Sequence, residues 1–153
     1  MNLLGRTIVV LGYPGYQELE LWYPVFRARE EGATVAIVTA GDESESYLGY
    51  PVIGDHDARE LDVSQVSALV APGTVTGNPS ASTAQRDLIE RVSAAGGRLY
   101  ASGSGAQLIR DAAGGAIDQR RIAEGPDGVG QLFQVLLGDV GAFAQRSEGA
   151  RLS

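Results

Sequence analysis

Glu20, His56 and the serines of Ser102-Gly103-Ser104 are the side chains in this 153-residue chain whose types and placement could carry a reaction. The segment Arg98-Leu-Tyr-Ala-Ser-Gly-Ser-Gly-Ala-Gln-Leu-Ile109 reads as a buried strand, a sharp glycine-rich turn and a helix. That layout holds one residue at a strained turn and points it into a site. The centre of the turn is Gly103, and the chain has no cysteine, so thiol chemistry is excluded. Serine attack needs a base, and only Glu20 or His56 is on offer. The spacing also departs from G-x-S-x-G, because Ser102 and Ala106 occupy the flanking glycine positions. Ser102 and Ser104 are therefore expected to hydrogen-bond a ligand rather than attack it. The amides of Ser104 and Gly105 open a helix and form a site for an anion or a carbonyl oxygen, with Gly73 and Thr74 as further donors.

Glu20 is the expected working group. It sits on the helix after the first strand, flanked by Leu19, Leu21 and Trp22. Facing the space vacated at Gly103, its carboxyl would be desolvated and its pKa raised toward neutrality, where it can move a proton to or from carbon or oxygen. The competing reading is a solvated or capping glutamate, which is the expectation for Glu18. His56 lies between Asp55 and Asp57 on a loop. Adjacent residues seldom converge on one ion, so His56 is read as a surface histidine and kept as a candidate ligand contact. Tyr13 and Tyr16, in the loop after the first strand, are placed to line a pocket for a flat organic ligand. Trp22, at helical spacing, reads as packing.

Composition closes off other chemistries. All 12 basic residues are arginine, so no lysine can form a Schiff base. A single histidine excludes zinc sites built on two or three imidazoles, and no metal is expected. Gly12-Tyr-Pro-Gly15 is not a dinucleotide fingerprint and there is no Walker A motif, so no cofactor is expected. A formal charge of −7 with no basic patch disfavours nucleic acid. No apolar run approaches the roughly 18 residues needed to span a bilayer. The first residues lack the pattern of a secretory signal, so the expected location is cytoplasmic.

The elements that must position these groups alternate strand and helix. Thr7–Leu11, Thr34–Thr39, Ser67–Ala71 and Arg98–Ala101 are short apolar runs of the kind buried on both faces of a parallel sheet. Glu18–Glu31 reads as a helix with Leu19, Trp22, Phe26 and Arg29 on one face. Thr83–Ala95 follows, capped by Ser82 or Thr83 and stopped by Gly96-Gly97, then Gly105–Ala112 and a closing helix from Pro126 to Phe143. Ser46–Ile53 suggests a short edge hairpin, Ala58–Leu61 a helical turn and Ala116–Ile122 a last strand. Repeated βα units with right-handed crossovers give a doubly wound parallel α/β sheet, here one domain over residues 1–144 with a loose polar tail at 145–153. Ligands in such folds sit at the carboxyl ends of the strands, here Gly12 to Gly15, Thr39 to Gly41, Pro72 to Gly77 and Ser102 to Gly105.

Four segments in order carry a family resemblance. Gly12-Tyr-Pro-Gly-Tyr-Gln-Glu-Leu-Glu-Leu-Trp-Tyr-Pro24, Gly49-Tyr-Pro-Val52, Ala68-Leu-Val-Ala-Pro-Gly73 and Ala106-Gln-Leu-Ile109 resemble the ThiJ/PfpI family, the DJ-1 branch of the class I glutamine amidotransferase-like superfamily. The match runs over residues 6 to 114 and more weakly over 116 to 140. It implies a flavodoxin-like sandwich and a homodimer, with a site built from a reactive cysteine, a neighbouring histidine and a buried glutamate of the first helix. The family's Cys-His-Gly-Pro stands here as Gly103-Ser104-Gly105-Ala106, and its Gly-Gly after the third strand as Gly73-Thr74. The glutamate is retained as Glu20. The thiol-dependent activities of the family therefore do not carry over.

Two readings stay open. One is a cofactor-independent enzyme acting on a small organic molecule, with Glu20 as general acid/base in a lyase, hydratase, isomerase or cyclase type of step. In it, backbone amides at Gly73–Thr74 and Ser104–Gly105 polarise an oxygen. The other is a catalytically inactive module that binds a ligand or a partner.

Overall fold

A computed structural model describes residues 1–141. The expected closing residues up to Phe143 and the polar tail at 145–153 lie outside that range. Five parallel strands form the central sheet: β1 (Thr7–Gly12), β2 (Thr34–Thr39), β5 (Val66–Ala71), β6 (Arg98–Ser102) and β7 (Ile122–Ala123). A separate antiparallel hairpin pairs β3 (Glu43–Glu45) with β4 (Pro51–Ile53). The sheet order is β2-β1-β5-β6-β7. Counted along the sheet strands alone, this is the flavodoxin-like order, with its switch point where β1 lies between β2 and β5. The apolar runs form strands because both faces are covered. Helices α1 (Glu18–Glu30) and α4 (Val129–Val140) pack together on one side, and α2 (Thr83–Ala94) and α3 (Gly105–Ala113) on the other. Ile8 to Leu11, Ala68 and Leu69 are fully buried between these layers. Among the described residues no helix is long and apolar enough to cross a membrane.

The structure departs from the sequence expectations in three places. Helix α1 turns a different face inward. Glu20, Leu21, Pro24, Val25 and Ala28 are buried, whereas Leu19 and Phe26 are 52% and 54% exposed. Two stripes of this helix carry apolar residues at three- and four-residue spacing, and the one with smaller side chains fits against the sheet. The hairpin strands begin earlier than Ser46, which leaves residues 46–50 as the tip, and the hairpin forms its own two-stranded sheet. The turn expected at Ala58–Leu61 is present at residues 58–60, closed by the Glu60 N–H donating to the Asp57 carbonyl at 3.0 Å. The expected strand Ala116–Ile122 is a loop and a 3₁₀ turn (Gln119–Arg121) that feed only two residues into the sheet.

α2 opens with a capping box: the Ser82 side chain accepts from the Gln85 N–H, and the Gln85 side chain accepts from the Ser82 N–H. Gln85 is fully buried, and its amide also donates to the carbonyls of Gly12 and Val38, both at 2.9 Å. One side chain thus ties α2 to the carboxyl ends of β1 and β2.

Candidate active site

The site forms where β1, β5 and β6 end. The loop after β1 carries the chain into α1, and it is clamped on both sides. Tyr16 bridges to Ser46 of the hairpin and to Thr74 after β5. The Gln17 N–H donates to the Gly73 carbonyl at 2.9 Å, and the Gln17 side chain caps α1 by accepting from the Glu20 N–H. These bonds fix the first turn of α1 against residues 73–75. Glu20, 4% exposed, then sends its Oε1 to accept from the Gly73 N–H at 2.9 Å. Burial pushes the Glu20 carboxyl above its ordinary pKa, and the Gly73 bond opposes that rise without cancelling it.

Gly103 forms the elbow over this carboxyl. Its φ of +51° lies in the left-handed region that favours glycine. A β-carbon placed there would meet Glu20 Oε1 at 3.4 Å, the Glu124 carbonyl at 3.9 Å and the Gly73 α-carbon at 3.9 Å. These are ordinary contact distances, so the position has room for a side chain that the sequence does not supply. The neighbouring glycine is different. A β-carbon on Gly105 would sit 2.1 Å from the Ala71 carbonyl oxygen, so only glycine lets α3 begin this close to β5. Gly103 itself is anchored by its N–H donating to the Ala123 carbonyl at 2.8 Å.

The remaining expected residues fall in four groups. Thr74 and Ser104 join Glu20 and Gly103 at the elbow. The Thr74 N–H donates to Ser104 Oγ at 2.9 Å, and the two hydroxyls lie 3.2 Å apart. Two of the four amides expected to polarise an oxygen, those of Gly73 and Thr74, are thus committed within the protein. Those of Ser104 and Gly105 open α3 beside them. Ser102 is fully buried, and its hydroxyl has no hydrogen-bond partner. Tyr13 and Tyr16 are fully buried under the loop: the Tyr13 hydroxyl donates to the Pro72 carbonyl, and that of Tyr16 to the Tyr50 carbonyl at 2.9 Å. Burial raises the Tyr13 hydroxyl well above its ordinary pKa, and the Glu20 charge adds to the rise.

His56 lies elsewhere, in an open groove of about 640 Å³ between the end of β2 and the start of α2. Its Nδ1 is 2.6 Å from Asp55 Oδ1, and Asp55 also accepts from the Ile37 N–H. Among the described residues no group of three or more histidine, aspartate or glutamate side chains is placed to hold a metal ion. Sequence reasoning missed two features. One is Gln85, signalled by Ser82 three residues earlier. The other is the apolar lining behind Glu20, contributed by Pro24, Tyr100, Leu132 and Phe133, which only the fold assembles.

A five-stranded flavodoxin-like sheet with a glycine elbow over a buried glutamate defines the class. Comparison with solved structures gives the particular fold. DJ-1beta of Drosophila melanogaster superposes with a TM-score of 0.76 at 15% identity, over 97% of this chain and 98% of that one. A DJ-1 superfamily protein of Salmonella typhimurium gives 0.72 at 20% identity, over 87% and 89%. Oxidized DJ-1 of Toxoplasma gondii gives 0.71 at 17%, over 96% and 97%. The chain has the DJ-1/ThiJ/PfpI fold. It also matches one part of a two-domain protein of Anabaena variabilis with DJ-1/ThiJ/PfpI-like and ferritin-like domains, of which it spans 32%. No family model matches the sequence. A stretch of 67 residues, 43% of the chain, is 33% identical to an uncharacterized protein of Archaeoglobus fulgidus, of which it spans 40%.

Proposed function

We propose that this chain is a cysteine-free member of the ThiJ/PfpI superfamily that acts on a small organic molecule through Glu20 as general acid/base, with no cofactor. The observation that carries this reading is the position of Glu20 Oε1. It is buried, oriented by the Gly73 N–H, and 3.4 Å from the point where a side chain on residue 103 would begin. With glycine there, a substrate atom can occupy the space and meet the carboxyl directly. A carboxyl raised by burial holds its proton closer to neutral pH and can return it, as lyase, hydratase, isomerase or cyclase steps require. The Ser104 and Gly105 amides at the start of α3 are the donors for a substrate oxygen. A ¹³C titration of the Glu20 carboxyl tests the reading. It expects a midpoint above the ordinary value of about 4.3, and a midpoint at or below that value overturns it.

A second reading, a binding module without turnover, draws support from the commitment of the Gly73 and Thr74 amides to protein acceptors. Both readings include a homodimer. Leu19 and Phe26 on α1 are exposed beside Tyr47, Leu48 and Tyr50 of the hairpin tip. The Leu48 N–H donates to Glu18, and Trp22 bonds the Tyr16 hydroxyl, which joins the two elements into one apolar face. A cytoplasmic setting belongs to the same proposal.

A further inference from the structure

Behind Glu20, on the side of the sheet covered by α1 and α4, lies a cavity of about 10 Å³ lined by Glu20, Ser102, Val70, Tyr100, Leu132 and Phe133 among others. Side chains alternate along β6, so Ser102 shares the face of Tyr100, whose hydroxyl reaches Asp139 of α4 at 2.7 Å. The Ser102 hydroxyl is therefore directed into the layer that holds Glu20. It is fully buried and has no partner, while Glu20 has one carboxyl oxygen held by Gly73 and takes no other side-chain bond from the described residues. An unsatisfied buried hydroxyl costs about 1–3 kcal/mol. A volume of about 10–15 Å³ open to a water's centre is what one buried water needs, together with two or more polar partners.

We propose that this cavity holds a single ordered water bridging Ser102 Oγ to the carboxyl oxygen of Glu20 that Gly73 does not hold, which makes Ser102 a positioning residue for Glu20. The volume admits nothing larger, so the occupant is water and not substrate. The bridge supplies the missing partner of Ser102 and fixes the second carboxyl oxygen as Gly73 fixes the first. Neighbouring titratable groups are already engaged: Tyr13 with the Pro72 carbonyl, Tyr100 with Asp139, Asp139 with Arg121 at 3.0 Å, and Arg27, which lies over the Phe133 ring, with Glu30 and Glu31. The site follows from packing and holds whether or not Glu20 turns over a substrate.

The test compares Ser102→Ala and Ser102→Thr with the unaltered protein, with Ser44→Ala as reference. Ser44 is the other buried hydroxyl without a partner among the described residues, and it does not line this cavity. With the water bridge, Ser102→Ala lowers the melting temperature and raises the Glu20 titration midpoint by about one unit, the equivalent of one hydrogen bond to a charged group. Ser102→Thr, which keeps the hydroxyl, restores the midpoint. A crystal structure shows a water within hydrogen-bond distance of both groups. Without the bridge, Ser102→Ala removes only an orphan hydroxyl. A melting temperature that rises or stays level as in Ser44→Ala, an unmoved midpoint, or a crystal structure with no water there overturns the proposal. None of these readouts involves a substrate, so they stand apart from the reading of Glu20 as catalyst.

Discussion

Replacing Gly103 and Gly105 separately with alanine should have unequal consequences, and the size of each follows from what the new methyl group meets. At Gly103 the methyl group has ordinary contacts, the shortest 3.4 Å to Glu20 Oε1, so no atom needs to move. The cost is conformational: a non-glycine residue at φ +51° loses about 1–2 kcal/mol. For a domain of this size that lowers the melting temperature by about 3–6 °C. At Gly105 the methyl group would stand 2.1 Å and 2.8 Å from the carbonyl oxygens of Ala71 and Pro72. Both are main-chain atoms at the end of β5, and relief requires α3 to move off the sheet. The expected loss is at least about 3 kcal/mol, with a large share of the protein unfolded or insoluble. Function is read on the Gly103 variant, which stays folded. Gly103→Ala keeps the fold but fills the space next to Glu20, so substrate consumption should fall about 100-fold or more. Urea denaturation with thermal melting reads the first quantity, and turnover of a substrate found in cell extract reads the second. Equal stability losses for the two variants would refute the description of the elbow. Full turnover by a folded Gly103→Ala protein would refute the claim that substrate approaches Glu20 there.

Three further outcomes follow from the packing. Because burial raises the Glu20 pKa, the folded state binds its proton more tightly than the unfolded chain does. The resulting stability is fully present below the ordinary glutamate value and is lost as pH rises through the raised one. Urea midpoints measured across that window should fall with pH in the unaltered protein and flatten in Glu20→Gln; equal slopes would contradict the raised value. Gln85→Ala strips partners from the Gly12 and Val38 carbonyls and should cost about 3 kcal/mol by chemical denaturation, against less than about 1 kcal/mol if those carbonyls find water. Leu48→Glu on the hairpin tip, 69% exposed, should leave the monomer folded but shift sedimentation from dimer to monomer. A dimer unchanged by that charge would place the interface elsewhere.

Much of this architecture was legible in the residues. Short runs such as Thr34–Thr39 and Val66–Ala71 are mostly apolar, four and five of six residues, because helices cover both faces of the sheet, and that pattern is local. The glycine elbow was legible for the same reason, since dense glycines between a strand and a helix report a tight turn, and at Gly105 no side chain fits. What failed to show was decided by distant partners. α1 carries two stripes of apolar residues, and only the sheet chooses between them. The choice exposes Leu19 and Phe26 and buries Glu20 beside Pro24. The two residues of β7 pair with β6 without any periodicity of their own. Tyr13 and Tyr16 look like pocket walls from their place in a loop. They are buried because the hairpin and the Pro72–Thr74 segment close over them, contacts between residues roughly 30 to 60 positions apart. The Ser102 cavity is invisible in sequence because its lining comes from four elements.

Acid/base chemistry by Glu20 on a small molecule would be read in turnover. Purified protein and its Glu20→Gln variant are incubated side by side with a metabolite extract, and the consumed and formed compounds are followed by mass spectrometry. At least one compound should be converted by the unaltered protein and left intact by Glu20→Gln, with both proteins folded. Conversion at equal rates by both, or a compound bound by both and converted by neither, would contradict it.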